Sequence, residues 1–201
     1  MKRLLVVTTG GTLDALPYTN PSRHPPYSVF PSLGACQVRR ALMRPDMALR
    51  AQTCRWAALP PRDSKRIDAA YRAKIRRAMA RHSVPRVLIA HGTDTLLTTA
   101  AYLHRLKGTR SKTVVLVGAM LPLANGAASD GWQNLRYAVR RLTRQGTLPP
   151  GIYLVLSDYV GTPRVWLPQL YRFLPGALEK YYDPDRADRS RLLVHDRRAL
   201  V

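Results

Sequence analysis

Two threonines stand directly after glycines, Thr12 in "TTGGTLD" (8–14) and Thr93 in "HGTDT" (91–95), and the second is followed by Asp94. A threonine hydroxyl is a poor nucleophile until a neighbouring base or ion pair activates it and the backbone fixes its position. Two hydroxyls and a carboxylate on adjoining turns would suit attack on an acyl carbon. A third word, "VGAMLPLANGAASDG" (117–131), offers backbone polar groups around Ala119. Tyr18 and Tyr27 follow Thr12, and a loop that closes could carry a phenol to it while expelling water. The competing chemistry is phosphate cradling by Gly10 and Gly11. A dinucleotide fingerprint needs GxGxxG and a P-loop needs GxxxxGK followed by Ser or Thr, and the chain carries neither. The hydroxyl reading is the better one.

The elements that must hold these words alternate. "RLLVVTT" (3–9), "RVLIAHG" (86–92), "TVVLVGA" (113–119) and "GIYLVLS" (151–157) are short, continuously apolar and β-branched, as suits strands covered on both faces. "MALRAQTCRW" (47–56) is a weaker strand candidate. Ile67, Tyr71, Ile75, Ala78 and Met79 form one helical stripe; Leu96, Leu97, Ala100, Ala101 and Leu103 form a second. Trp132, Leu135, Val139 and Leu142 form a third, over 129–143, with Ser129 or Asp130 placed to cap its start. Asp130 is equally placed to support a site from behind. The alternation predicts an α/β fold: an open, mostly parallel, doubly wound sheet with helices on both faces. Ligands of such sheets bind at the carboxyl ends of the strands, so Thr9, Thr12, Thr93, Asp94 and the backbone of Ala119 should gather on one edge.

Residues 14–33 hold five prolines and two tyrosines and predict a loop of about 20 residues, a length usual for lids or disordered segments. From 158 the text turns irregular, with a possible strand at "RLLVHD" (191–196). The expected division is therefore an α/β domain over 1–157 and a C-terminal appendage, hairpin or irregular, over 158–201.

With 201 residues the chain can bury a full core. Its N-terminus is too short in apolar residues for a secretory signal, and no run suits a membrane span. Cys36 and Cys54 have no metal-ligand spacing, which argues for a reducing, cytoplasmic setting and against a disulfide scaffold. The chain carries 33 Lys and Arg against 12 Asp and Glu, a net charge of +21. Such an excess permits non-specific association with nucleic acid, but the arginines are scattered and no nucleic-acid-binding motif appears. His91 reads as a structural histidine, Trp56, Trp132 and Trp166 as packing, and Tyr181–Tyr182 as surface or interface.

"TTGGTLD", "HGTDTLL" and "GAMLPLANGAASDGWQNL" together resemble the bacterial-type L-asparaginase family, the amidohydrolases that use a threonine nucleophile. The three motifs keep the family's order and spacing, and the resemblance covers residues 3–157, the family's N-terminal domain. It implies hydrolysis of a small side-chain amide, most simply that of L-asparagine, through an acyl-enzyme, with no metal or cofactor. Thr12 matches the nucleophile, and Gly11 and Gly92 border the substrate. Tyr27 matches the loop tyrosine better than Tyr18, Ser64 of "PRDSKR" the residue that holds the α-carboxylate, Thr93 and Asp94 the second threonine and the carboxylate that meets the α-amino group. Ala119 matches the residue whose carbonyl contacts the scissile amide. The family's lysine falls at Pro168, no lysine occurs between Lys112 and Lys180, and Arg164 is the nearest cation in sequence. Arginine stays protonated and cannot accept the proton. The length resembles the single-domain members, and a homo-oligomer, most simply a dimer, is expected. The alternatives are a degenerate member that binds an amino-acid-like ligand or partner without turnover, and a basic protein associated with nucleic acid.

Overall fold

The computed structural model describes residues 4–17, 36–47, 54–143, 148–160, 165–175, 177–180 and 194–195. Its strands are β1 (Leu4–Gly10), β2 (Cys54–Arg62), β3 (Arg86–Ala90), β4 (Thr113–Val117), β5 (Gly151–Val160), β6 (Val165–Leu174), β7 (Ala177–Lys180) and β8 (Val194–His195). The helices are α1 (Gln37–Leu42), α2 (Ala69–Ala80), α3 (Leu96–His104) and α4 (Gly131–Thr143). The strands form one sheet in the order β2-β1-β3-β4-β5-β6-β7-β8. From β2 to β5 neighbours run parallel, and β6, β7 and β8 are added antiparallel.

The period-2 alternation of the strands sorts their side chains to two cores. Leu4, Val6, Leu88, Ala90, Val115 and Val117 face α1 and α4; Leu5, Val7, Val87, Ile89, Val114 and Leu116 face α2 and α3. The stripe read from Tyr71, Ile75 and Met79 is the buried face of α2, whose start is capped by Asp68 accepting from the Tyr71 amide at 2.7 Å. The open, mostly parallel α/β sheet is thus as the sequence predicts.

Two elements differ from the sequence reading. Of the strand expected over 47–56, Met47 falls in a short turn, Pro45–Met47, and 48–53 lie outside the described residues. The described strand, Cys54–Arg62, runs on through Pro60 and Pro61, which a sheet edge tolerates because one side needs no ladder donor. The short helix α1 was not expected. Its first amides, Gln37 N and Val38 N, donate to Asp14 Oδ1 at 2.5 and 3.2 Å, a carboxylate at the positive end of a helix. β5 runs past the 157/158 division to Val160 and returns as β6, with Ser157 opposite Pro168.

Candidate functional site

In this strand order the chain leaves β1 for β2 on one side and β3 on the other, so a crevice opens between the carboxyl ends of β1 and β3. Thr12 and Thr93 lie at those two ends. Gly11 holds φ 76°, which lets β1 break into the turn at Thr12–Asp14. Its Cα lies against Gly92, where a Cβ would collide with the Gly92 backbone. Gly92 in turn lies on Ser64: a Cβ there would stand 2.6 Å from Ser64 Cβ and 2.7 Å from its Oγ. The Thr93 methyl reaches toward Gly118 at the end of β4, 3.0 Å from where a Cβ would be. The three words of the sequence therefore meet.

Ser64 is buried and donates from Oγ to Asp94 Oδ2 at 2.8 Å. It sits in a one-turn helix, Ser64–Arg66, held by Asp63 accepting from the Lys65 amide at 2.9 Å and by Thr95 Oγ1 donating to Ser64 O at 2.7 Å. The same turn brings Lys65 Nζ to 3.9 Å from Asp94 Oδ1. Asp94 is 46% exposed, so one face of its carboxylate is open to a ligand. Thr12 and Thr93 are half-buried, and neither hydroxyl has a partner among the described residues. Thr9 differs: its hydroxyl donates to Ala90 O at 2.9 Å, which makes it a tie between β1 and β3 rather than a reactive group.

His91 is fully buried. Its Nδ1 bonds Gly92 O at 2.7 Å, its Nε2 bonds Thr99 Oγ1 at 3.0 Å, and Arg72 Nε donates to the same hydroxyl at 3.3 Å. Burial pushes its pKa down to about 4, so the ring is neutral and ties the glycine turn to Thr99 of α3. The structural reading of His91 stands.

Asp130 is fully buried behind the third word, and of its two readings the structure supports the one behind the site. The Met120 amide donates to both its oxygens at 3.0 Å and the Leu121 amide to Oδ1 at 3.0 Å. Asn134 Nδ2 bonds Gly118 O at 2.9 Å and Asp130 Oδ2 at 3.2 Å, while Ser157 Oγ donates to Asn134 Oδ1 at 2.6 Å. Burial raises the Asp130 carboxyl above the usual carboxylate range against the lowering effect of these bonds. The network fixes the turn that carries Ala119, itself buried. Sequence reading missed Asn134, Ser157 and Lys65; the i,i+4 spacing of Asp130 and Asn134 on α4 was the available signal for one of them.

Tyr18, Tyr27 and Arg164 lie outside the described residues, as do Tyr181, Tyr182 and the side chain of Trp166. Pro168 is a buried residue of β6 and brings no amine to the edge. Trp56 and Trp132 pack at the rim of a core, the latter donating to Leu123 O at 3.1 Å. Cys36 and Cys54 are buried and not in a disulfide, and burial with the nearby Asp14 charge pushes the Cys36 thiol up to about 11, which leaves it unreactive. Among the described residues no group of His, Cys, Asp and Glu could hold a metal ion, and no helix is long and apolar enough to cross a membrane.

The family model described as Asparaginase, N-terminal matches residues 3–165. The chain belongs to the asparaginase family. L-asparaginase 2 of Bacillus subtilis is 34% identical over 91 residues, 45% of this chain and 24% of that protein. The fold resembles the thermostable L-asparaginase of Thermococcus kodakarensis at TM-score 0.58 and 24% identity, covering 95% of this chain and 59% of that one. It also resembles L-asparaginase I of Vibrio cholerae at TM-score 0.55 and 20% identity, covering 83% and 50%. This asparaginase-family chain thus spans a part, not the whole, of the length of the relatives it matches.

Proposed function

We propose that the chain is an amidohydrolase of the asparaginase type, cleaving the side-chain amide of L-asparagine or a related small amide to a carboxylate and ammonia. The observation that supports this best is Thr12, whose hydroxyl is uncommitted among the described residues, presented by Gly11 directly against the Gly92–Thr93–Asp94 turn. On this reading Thr12 Oγ1 attacks the amide carbon, the C–N bond breaks, and the hydroxyl proton leaves on the departing ammonia. Water then cleaves the ester and restores the hydroxyl. Asp94 meets the substrate ammonium on its open side, Ser64 and Lys65 face the α-carboxylate, and the Ala119 carbonyl receives the amide NH2. Holding substrate and hydroxyl in register supplies much of the acceleration. Tyr27 is assigned the loop phenol on the same reading. The active form is a homo-oligomer, most simply a dimer, working without cofactor in the cytoplasm.

Ammonia release over a small panel of amides tests it. Thr12→Ala is expected to lower turnover at least about a thousandfold, as loss of a nucleophile does, and Asp94→Ala to abolish it; a robust rate in Thr12→Ala overturns the assignment. Pro168 at the family's lysine position favours one second reading, a member that binds an amino-acid-like ligand without turnover. Calorimetric binding of aspartate with no ammonia from any amide decides for it.

A further inference from the structure

The opposite end of the sheet carries a second cleft. It holds a volume of about 480 Å³ between the end of α3, the amino end of β5 and the carboxyl end of β6. Arg105, Arg110, Arg172 and His104 line it, over an apolar floor that includes Ile152 and Phe173, and no carboxylate is among its described lining residues. Among the described residues none of the three arginines is ion-paired. A smaller cleft of about 250 Å³ flanks the same turn, Lys107–Thr109, and is lined by Arg76, Lys107 and Lys112, again with no acid among the described lining residues. A cation at the end of a helix has a local explanation in the helix dipole. That accounts for Arg105, which follows α3, but not for Arg110 beyond the turn or Arg172 on another strand. Glu179 of β7 is the register partner of Arg172 along the backbone; among the described residues no ion pair reaches Arg105 or Arg110.

We propose that this cleft binds a small phosphate-bearing anion, independently of the amide chemistry at the other edge. Guanidinium forks match phosphate oxygens in pairs, and three of them converging from separate elements form a site for a di- or triphosphate rather than for a single charge. The tilted His104–Phe173 pair, 5.5 Å between centroids, gives the floor an aromatic wall against which a base could lie.

Calorimetric titration of the full chain with inorganic phosphate, pyrophosphate and ATP tests the site. Pyrophosphate should bind more tightly than phosphate, and Arg105→Ser or Arg110→Ser, both exposed positions whose loss leaves the core intact, should each weaken it about tenfold. Arg77→Ser on the exposed face of α2 should leave it unchanged. ATP binding tighter than pyrophosphate assigns the floor to a nucleobase; equal affinities assign the site to the phosphates alone. Equal weakening by Arg77→Ser, or no binding of any of the three at millimolar concentration, overturns the proposal.

Discussion

At the carboxyl ends of β1, β3 and β4 the polar side chains answer one another, and at the amino ends of β4 and β5 they do not. The carboxyl edge contains Ser64 on Asp94, His91 on Thr99, and the chain Ser157–Asn134–Asp130 on the Met120 turn. All three arrangements are short and end on glycine-bearing turns; the latter two are largely buried, and in the first a buried Ser64 meets an Asp94 that is 46% exposed. The amino edge contains arginines that line a cleft with no carboxylate among its described residues. One edge is shaped by bonds between side chains and close backbone approach; the other is tied by side chains to the backbone, Thr109 Oγ1 on Leu103 O and Lys112 Nζ on Val84 O, and its arginines stand outside these ties. Among the described residues the hydroxyls of Thr12 and Thr93 and one side of Asp94 are left without partners at the shaped edge, held by their turns; a preorganised site of the proposed kind needs groups placed in this way.

If contact between glycines shapes the carboxyl edge, Gly92→Ala should show it most. The added Cβ meets Ser64 at 2.6 Å and the Gly11 Cα at 3.2 Å, and neither can move without shifting Asp94 or Thr12. We expect a stability loss of about 3 kcal/mol by denaturant unfolding, the upper end of overpacking costs, with amide turnover falling further than the loss of folded protein explains. An unchanged midpoint would show that the two turns are not in contact.

The second way to sharpen the comparison uses pH. His91 has an ordinary pKa of 6.5 when unfolded and about 4 when folded. The native state therefore binds fewer protons in that window, and stability should fall as pH drops from about 6.5 to about 4, by roughly 2 kcal/mol at pH 5. Asp130 runs the other way: its raised carboxyl pKa makes protonation favour the native state at the acid end. Denaturant midpoints between pH 7.5 and 4.5 should slope downward in the native sequence and flatten in His91→Gln. Equal slopes in both would mean that the ring is not held neutral.

The carboxyl edge was also the more legible in the sequence. Continuous apolar runs gave β1, β3, β4 and β5 because strands covered on both faces admit few polar residues, and the three-to-four spacing gave α2, α3 and α4. The glycine–threonine words marked the strand ends for the same reason: a turn this tight selects glycine. Less visible were β2, whose alternation is broken by two prolines at a sheet edge, and α1, at six residues too short to show a period. Asn134 stands off the apolar stripe of α4 and looks like a solvated residue until the Met120 turn is folded over it. Lys65 reaches Asp94 only through the turn at Ser64, and Arg172 lies more than 60 residues beyond Arg105 and Arg110. Convergence across elements carries no local signature, which is why the basic cleft was hidden within a scattered net charge.

The smallest expected effect concerns that cleft. If its arginines shape nothing, removing them should leave the fold as it was. Arg105 and Arg110 are exposed, and among the described residues neither has an ion-pair partner to lose. In a chain of net charge +21 each also adds to self-repulsion. Loss of a favourable helix-end charge at Arg105 is worth only a few tenths of a kcal/mol at an exposed site. The two terms oppose, so Arg105→Ser and Arg110→Ser should stay within about 0.5 kcal/mol of the native stability at 0.15 M salt, and the double variant should gain at low salt, where repulsion is least screened. Thermal unfolding at two ionic strengths measures both. A loss above about 1 kcal/mol would mean that these side chains hold the turn at Lys107–Thr109 in place, and the contrast between a shaped edge and a charged one would no longer hold.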